Sequence, residues 1–215
     1  MAMISIKNLC KNYGENIIFN DFNLDIYESE TLAILGESGS GKTTLLNVLA
    51  GLTDFEGQVL GIEKPISMVF QRDMLVKNLT VEQNLLLINK DIKVDEILGE
   101  VGLKDKKDEY IKNLSGGMAR RVAIARALVA KSNTLFLDEP FINLDLSLKF
   151  SLMDIIKRKK QQKTVILVTH DIKEAVYLAD RIVVLSKGKI VLECKNQKDE
   201  SEKIEKKLFE TMLSL

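Results

Sequence analysis

The architecture of this chain follows from one segment, Thr31-Leu32-Ala33-Ile34-Leu35-Gly36-Glu37-Ser38-Gly39-Ser40-Gly41-Lys42-Thr43-Thr44. Its first five residues form a short apolar run, which is typical of a buried strand. Over residues 42–52 the apolar side chains recur at helical spacing, so a helix is predicted there. The segment therefore predicts a strand, a glycine-rich loop and a helix in direct succession.

The loop between this strand and helix has the composition of a phosphate-binding loop. Glycine permits tight turns and lets backbone N–H groups approach phosphate oxygens closely. Lys42 would neutralise the β- and γ-phosphates of a nucleotide, the Thr43 hydroxyl could ligate Mg²⁺, and Thr44 could add a phosphate contact. The alternative, a fortuitous glycine-rich turn, is disfavoured by the flanking strand and helix. Nucleotide contacts are therefore predicted for Gly36, Glu37, Ser38, Gly39, Ser40, Gly41, Lys42, Thr43 and Thr44.

Strands and helices alternate in much of the remaining sequence. The first thirty residues alternate apolar and polar side chains around a turn at Tyr13-Gly14, which predicts antiparallel strands. Residues 72–130 are mostly helical in pattern. Further strands are predicted at 66–70, 135–137, 165–168 and 182–185, with helices at 146–160 and 172–180. Strands interleaved with helices indicate an α/β protein with a parallel sheet.

Three side chains with catalytic potential follow predicted strands. Asp138 and Glu139 end the apolar run before them. One such acid can hold Mg²⁺ through water, and the next can orient or deprotonate an attacking water. By itself, an Asp-Glu pair after an apolar strand is usually part of a solvated turn. Its occurrence together with a phosphate-binding loop favours a functional role here. His170, the one histidine, ends the strand at 164–169. A lone histidine is more often structural, but here its imidazole could reach the γ-phosphate.

A second glycine turn, Leu114-Ser115-Gly116-Gly117-Met118, stands at the start of a helical pattern. A serine hydroxyl, two glycines that free backbone N–H groups and a helix N-terminus together form an anion site. The chain thus carries two phosphate-gripping loops, which requires an explanation.

Size and charge set further limits. The chain has 215 residues, a length that fits one compact unit. With 31 basic and 31 acidic residues, it has no strong electric field that would attract nucleic acid or an acidic membrane. Cys10 and Cys194 are isolated, as expected for reduced thiols of an intracellular protein. The N-terminus lacks a signal-peptide layout. The longest uncharged stretch, 43–53, is shorter than the ~20 residues of a membrane helix. We expect a soluble protein whose membrane role comes through a partner.

The C-terminal segment, residues 196–215, is highly charged. Ile204, Leu208 and Met212 recur every four residues, which predicts a helix with one apolar face. A helix docked on its own domain is the simpler interpretation, and a face that binds a partner is the alternative.

These motifs, in this order, resemble the ATP-binding cassette family from Ile4 to about Val191. The corresponding family elements are the Walker A segment (36–43), the Q-loop Gln71, the signature (114–118), the Walker B acid Asp138, the catalytic-type carboxylate Glu139, the D-loop Asp145, the switch His170 and the adenine-stacking Tyr13. The resemblance implies an α/β P-loop NTPase with a mainly parallel core sheet, an N-terminal antiparallel β subdomain and a helical signature subdomain. It implies one domain, 1–215, with a nucleotide-binding core at 1–71 and 131–195, a helical subdomain at 72–130 and a charged helix at 196–215.

The resemblance also explains the two loops, because cassettes of this family dimerise head to tail around ATP. Ser115, Gly116 and Gly117 would contact the ATP held by the Walker A segment of another copy, or of a paralogous cassette. Glu139 and His170 would act in hydrolysis, and Gln71, with Thr43 and Asp138, would contact Mg²⁺. The implied partners are transmembrane permease subunits and a solute-binding protein, with no nucleic acid. The implied location is the cytoplasmic face of the cell membrane, through the permease.

The sequence departs from the family pattern in places. Met118 stands where Gln is usual, Ala119-Arg120 where Arg-Gln is frequent, and Ile142-Asn143 where Ser-Ala is common. The segment 174–181 is similar to nitrate, sulfonate and taurine importer cassettes. An importer ATPase is therefore the leading hypothesis. An exporter or lipid-extruding cassette and a soluble cassette without transport remain as alternatives.

Overall fold

The structure is a computed structural model that describes residues 2–160 and 162–215. Met1 and Gln161, which the predicted single domain includes, lie outside the described residues. In chain order the strands and helices are β1 (Ala2–Tyr13), β2 (Asn16–Tyr27), β3 (Thr31–Leu35), α1 (Lys42–Ala50), β4 (Glu56–Leu60), β5 (Ile66–Val69), α2 (Val81–Leu86), α3 (Val94–Glu100), α4 (Gly116–Leu128), β6 (Thr134–Asp138), α5 (Leu146–Lys159), β7 (Thr164–Thr169), α6 (Ile172–Leu178), β8 (Arg181–Ser186), β9 (Lys189–Lys195) and α7 (Ser201–Leu213).

The described strands of the central sheet run in the order β5-β6-β7-β3-β8-β9. The first five are parallel, and β9 pairs antiparallel with β8 at one edge. Neighbouring residues of β3 serve opposite faces of the sheet: Ala33 and Leu35 belong to the core on the helical side, and Leu32 and Ile34 to the core on the other side. Burial on both faces explains the uninterrupted apolar run of this strand. The α/β class with a mainly parallel sheet is confirmed.

A second sheet, β2-β1-β4, is antiparallel and covers one side of the molecule. The predicted antiparallel strands at the N-terminus are present, with the turn at Gly14 and Glu15. The apolar side chains of β1 and β2, such as Ile4, Phe19 and Ile26, are buried against the central sheet and α1. Strands β4 and β9 have no counterpart in the sequence prediction.

The segment between β5 and β6 contains α2, α3, α4 and two short 3₁₀ turns. Helix α2 begins with a capping box, in which Thr80 and Gln83 satisfy each other's backbone N–H groups. Helix α1 is shorter than predicted. It was predicted to reach Leu52 but ends at Ala50, because Gly51 adopts the left-handed conformation that ends helices.

Helix α7 lies on α6 through one apolar face. Ile204 and Leu208 are buried, whereas Phe209 is exposed. Within residues 2–160 and 162–215, no helix has both the length and the apolar character needed to cross a lipid bilayer.

Candidate functional site

An open cleft of about 900 Å³ lies at the carboxyl ends of the central parallel strands. The loop after β3 forms one wall, and Glu139 and His170 follow β6 and β7. Parallel strands deliver the residues that follow them to the same edge of a sheet, which is where α/β proteins bind ligands. Of the predicted site residues, the cleft is lined by Glu37, Ser38, Gly39, Gly41, Lys42, Thr43, Thr44, Gln71, Glu139 and His170.

The shape of the phosphate-binding loop depends on Gly41, which caps the N-terminus of α1. Its φ of 106° is open to glycine and strained for other residues. A Cβ at this position would also lie 2.8 Å from Cζ of Phe19, a fully buried ring of β2. The first N–H groups of α1 have no partner within the helix, so they are free to meet an anion in the cleft.

Lys42 is folded back onto its own loop. Its ammonium donates to the carbonyl oxygens of Gly36 at 2.8 Å and Glu37 at 2.7 Å. Burial lowers the pKa of Lys42, while the charges of Glu139, Asp138 and Glu37 oppose that shift. The cation is therefore held near the loop by neutral acceptors that a phosphate group could replace.

Thr43 and Asp138 form an oxygen-rich pair beside the loop. The Thr43 hydroxyl donates to Oδ1 of Asp138 over 3.1 Å, and Asp138 is buried. Burial raises the pKa of Asp138, and the nearby Glu139 adds to the rise, whereas the Thr43 hydrogen bond opposes it. A hydroxyl and one or two carboxylates, completed by phosphate oxygens, are the ligands that Mg²⁺ takes in nucleotide sites. The residues present thus fit Mg²⁺.

Glu139 and His170 are in direct contact. Nδ1 of His170 lies 2.9 and 3.0 Å from the two carboxylate oxygens of Glu139. A carboxylate only accepts hydrogen bonds, so Nδ1 carries the proton. Glu139 also has a φ of 47°, which is uncommon for a residue with a side chain, and its N–H donates to Val168. Strain of this kind is concentrated at functional sites.

Gln71 lies on the wall of the cleft, and Tyr13 lies outside its described lining. Gln71 follows β5 and is exposed on the cleft wall. Tyr13 ends β1 and is 51% exposed, and it is not among the described residues that line the cleft. The ammonium of Lys11 lies 4.6 Å from the centre of the Tyr13 ring and 2.7 Å from Oδ1 of Asp54, so it restrains one face of the ring. Lys11 was not among the site residues predicted from the sequence.

The second glycine turn lies on a different surface. Ser115 caps α4, its Oγ accepting from the N–H of Met118 at 3.3 Å. The usual side chain at position 118 is not needed for this cap, because the bond uses the backbone. The described lining of the cleft does not include Ser115, Gly116 or Gly117. Gly116 instead borders a second cavity with Gln71 and Arg120.

The fold itself does not demand glycine at positions 116 and 117. Neither has a positive φ, and a Cβ at Gly116 would meet nothing within 4 Å. A Cβ at Gly117 would lie at an ordinary 3.6 Å from Leu144. Glycine costs stability in a helix. The absence of side chains at these two positions therefore indicates that a group from outside the chain approaches this backbone closely.

A strand, a phosphate-binding loop and a helix, with carboxylates at the end of β6 two positions away in the same parallel sheet, define a P-loop nucleotide-hydrolysing protein. The chain belongs to the ABC transporter family, whose sequence profile matches residues 19–142. It is therefore an ATP-binding ATPase of that family, as the sequence resemblance implied.

Relatives and solved structures agree with this assignment. The aliphatic sulfonates import ATP-binding protein SsuB 2 of Paraburkholderia xenovorans (strain LB400) is 41% identical over 194 residues, 87% of this chain and 78% of that protein. The Fe(3+) ions import ATP-binding protein FbpC of Fusobacterium nucleatum subsp. nucleatum is 39% identical over 87% of this chain and 56% of its own length. The dimeric, post-hydrolysis structure of the ATP-binding cassette MJ0796, bound to ADP and Pi, matches with a TM-score of 0.80 at 31% identity, over 90% of this chain and 99% of that one.

Proposed function

We propose that this ATPase powers solute import through a separate membrane permease, at the cytoplasmic face of the cell membrane. The import ATP-binding names of its relatives support this direction of transport. An alkanesulfonate is the solute class to test first, because several of the similar proteins are named for aliphatic sulfonates. A solute-binding protein outside the membrane would deliver the solute. Solute selection would lie in those other subunits.

ATP is held between two cassettes, which are two copies of this chain or this chain and a paralogue. The observation that carries this proposal is the pair of glycines at 116 and 117, which the fold does not need and which lie outside the cleft. In a head-to-tail dimer they would meet the γ-phosphate held by Lys42 of the other copy. The dimeric state of the similar cassette MJ0796 supports the arrangement.

The predicted site residues would have distinct parts in binding and hydrolysing ATP. Lys42 and the N–H groups of α1 would bind the phosphates, and Tyr13 would stack on the adenine. Thr43, Asp138 and Gln71 would hold Mg²⁺, which when bound offsets negative charge on the phosphates. Glu139 would accept a proton from the attacking water. His170 would keep the Glu139 carboxylate in place through the contact at 2.9 Å and would contact the γ-phosphate.

The division of the chain follows from the same proposal. The core at 1–71 and 131–195 carries the phosphate-binding loop, and the helical subdomain at 72–130 carries the signature and the face for the permease. The segment at 196–215 is an accessory helix that docks on the core.

Gly117→Ala tests the sandwich directly. We expect ATPase activity to fall at least about tenfold, because the added methyl group would separate α4 from the partner's ATP. Thermal stability should stay the same or rise, since alanine is the better helix former by up to ~1 kcal/mol. ATP affinity of the monomer, measured by calorimetry, should not change. The matched control is Gly99→Ala, a helical glycine of α3 at which an added Cβ would meet no atom within 4 Å. Equal activity in the two variants would refute the signature contact.

The direction of transport can be tested in inside-out membrane vesicles from a host that expresses the chain with its permease. The cassette then faces the medium, so added ATP should drive a labelled alkanesulfonate out of the vesicle lumen if the system imports. Lys42→Ala serves as the inactive control. ATP-driven accumulation inside the vesicles would instead establish an exporter, and movement of iron alone would reassign the solute.

A further inference from the structure

Arg120 is a buried arginine of α4 that contacts two other segments of the chain. It lies in the second turn of α4 and is 3% exposed. Its Nη1 donates to the carbonyl oxygen of Phe70 at 2.6 Å, and its Nη2 donates to that of Gln71 at 2.7 Å. A longer contact of 3.4 Å joins Nη2 to the carbonyl oxygen of Glu139. One guanidinium group therefore connects the signature helix with the Q-loop and with the end of β6.

The guanidinium of Arg120 also forms an ion pair. Nη1 of Arg120 lies 3.0 Å from Oδ1 of Asp73, two residues after Gln71. Burial raises the pKa of Asp73, while the charges of Arg120 and Arg126 oppose that rise. The Asp73 carboxylate thus offsets the charge of the buried guanidinium. Arginine suits this position because its planar fork offers several donors in fixed directions, which a lysine ammonium does not.

Two of the three backbone carbonyls that Arg120 contacts belong to residues with proposed roles in hydrolysis. Gln71 supplies its carbonyl oxygen to Arg120 and extends its side chain along the cleft. Glu139 supplies its carbonyl oxygen while its carboxylate meets His170. Arg120 itself is not among the described residues that line the ATP cleft. It can act on hydrolysis only by positioning these neighbours.

We propose that Arg120 is a positioning residue that ties the signature helix α4 to Gln71 and Glu139. Movement of α4 on contact with a partner's ATP is then passed through the guanidinium to the Q-loop and to the end of β6. Gln71 and Glu139 reach the positions needed for hydrolysis only when α4 is in contact with the partner's ATP. This inference rests on the proposed roles of Gln71 and Glu139 in hydrolysis.

The test compares Arg120→Met, which removes every donor of the side chain, and Arg120→Lys with Arg121→Met. Arg121 is the next residue of α4, and its Nη1 also donates to two carbonyl oxygens, those of Val101 at 3.0 Å and Gly102 at 2.9 Å. The control therefore removes a similar set of bonds from the same helix, directed away from the cleft. Each variant is measured for kcat, KM for ATP, thermal unfolding and hydrogen–deuterium exchange of the unliganded protein.

We expect Arg120→Met to lower kcat by roughly tenfold to a hundredfold with KM for ATP within twofold, because displaced catalytic groups slow the reaction without loosening the phosphates. Arg120→Lys should retain an intermediate kcat. Amide exchange should rise across residues 70–74 in Arg120→Met and around residues 101–103 in Arg121→Met, with kcat lowered in the first alone.

Two results would overturn the proposal: an unchanged kcat in Arg120→Met, or equal losses of kcat in Arg120→Met and Arg121→Met at matched stability. Unchanged exchange at 70–74 would exclude the link to the Q-loop whatever the activity. Failure of ATP hydrolysis in the wild-type chain would instead refute the roles of Gln71 and Glu139, and the exchange data would still decide whether Arg120 restrains the Q-loop.

Discussion

Glu139→Gln is expected to reduce ATP turnover by at least about a hundredfold, the usual contribution of a general base. Glutamine has the same shape and can still accept the hydrogen bond from Nδ1 of His170, which spans 2.9 Å in the wild type. It cannot take a proton from water. ATP should therefore stay bound, and the ATP-loaded variant should accumulate as a dimer, measured by light scattering and by phosphate release.

The control for this change is Glu210→Gln, which alters an exposed glutamate of α7 far from the strand ends. It should hydrolyse ATP at the wild-type rate. A Glu139→Gln variant that remains monomeric with saturating ATP counts against the shared site. One that keeps full turnover removes Glu139 from the chemistry.

Lys42→Ala is expected to weaken ATP binding by about tenfold to a hundredfold. That range corresponds to the ~1.5–3 kcal/mol of a hydrogen bond to a charged group. In the structure the ammonium donates to the carbonyls of Gly36 and Glu37 at 2.8 and 2.7 Å, so it is already poised beside the loop. Titration calorimetry with ATP measures the effect, and hydrolysis should fall with it.

Lys206→Ala, an exposed lysine of α7, is the matched control and should bind ATP as the wild type does. The Lys42 variant should also keep the wild-type unfolding temperature to within a few degrees, because the two carbonyls it releases can be solvated at the cleft. Unchanged ATP affinity would show that phosphate is bound elsewhere.

The central sheet could be predicted from the sequence because burial on both faces leaves a direct record in apolar runs. Strand β3 and the loop after it are the clearest case, and β6, β7 and β8 follow the same rule. Strand β4 left no such record, since Glu56, Gly57, Gln58 and Leu60 are exposed and the strand is defined by its pairing with β1. Its position depends on contacts distant in sequence.

Strand β9 is different, because its signal was present. Ile190, Leu192 and Cys194 alternate with exposed residues after a Lys187-Gly188 turn, which is a hairpin pattern. The order of the strands in the sheet does not follow from periodicity at all.

The candidate site also has features that could be predicted from the sequence and features that could not. The spacing of its motifs predicted which side chains would gather at the cleft, because they follow parallel strands. The role of Arg120 could not be predicted, since its partners at Phe70, Gln71 and Glu139 are backbone carbonyls, which every residue possesses. The left-handed conformation of Glu139 is likewise fixed by the surrounding fold.

The separation of the phosphate-binding loop from the signature turn would make defects in paired copies complementary. In the proposed two-fold pair, each ATP would take its loop from one copy and its signature from the other. A copy damaged at Lys42 therefore keeps a sound signature, and a copy damaged at Gly117 keeps a sound loop. When the two are paired, both lesions fall on one ATP, and the other ATP is surrounded entirely by native residues.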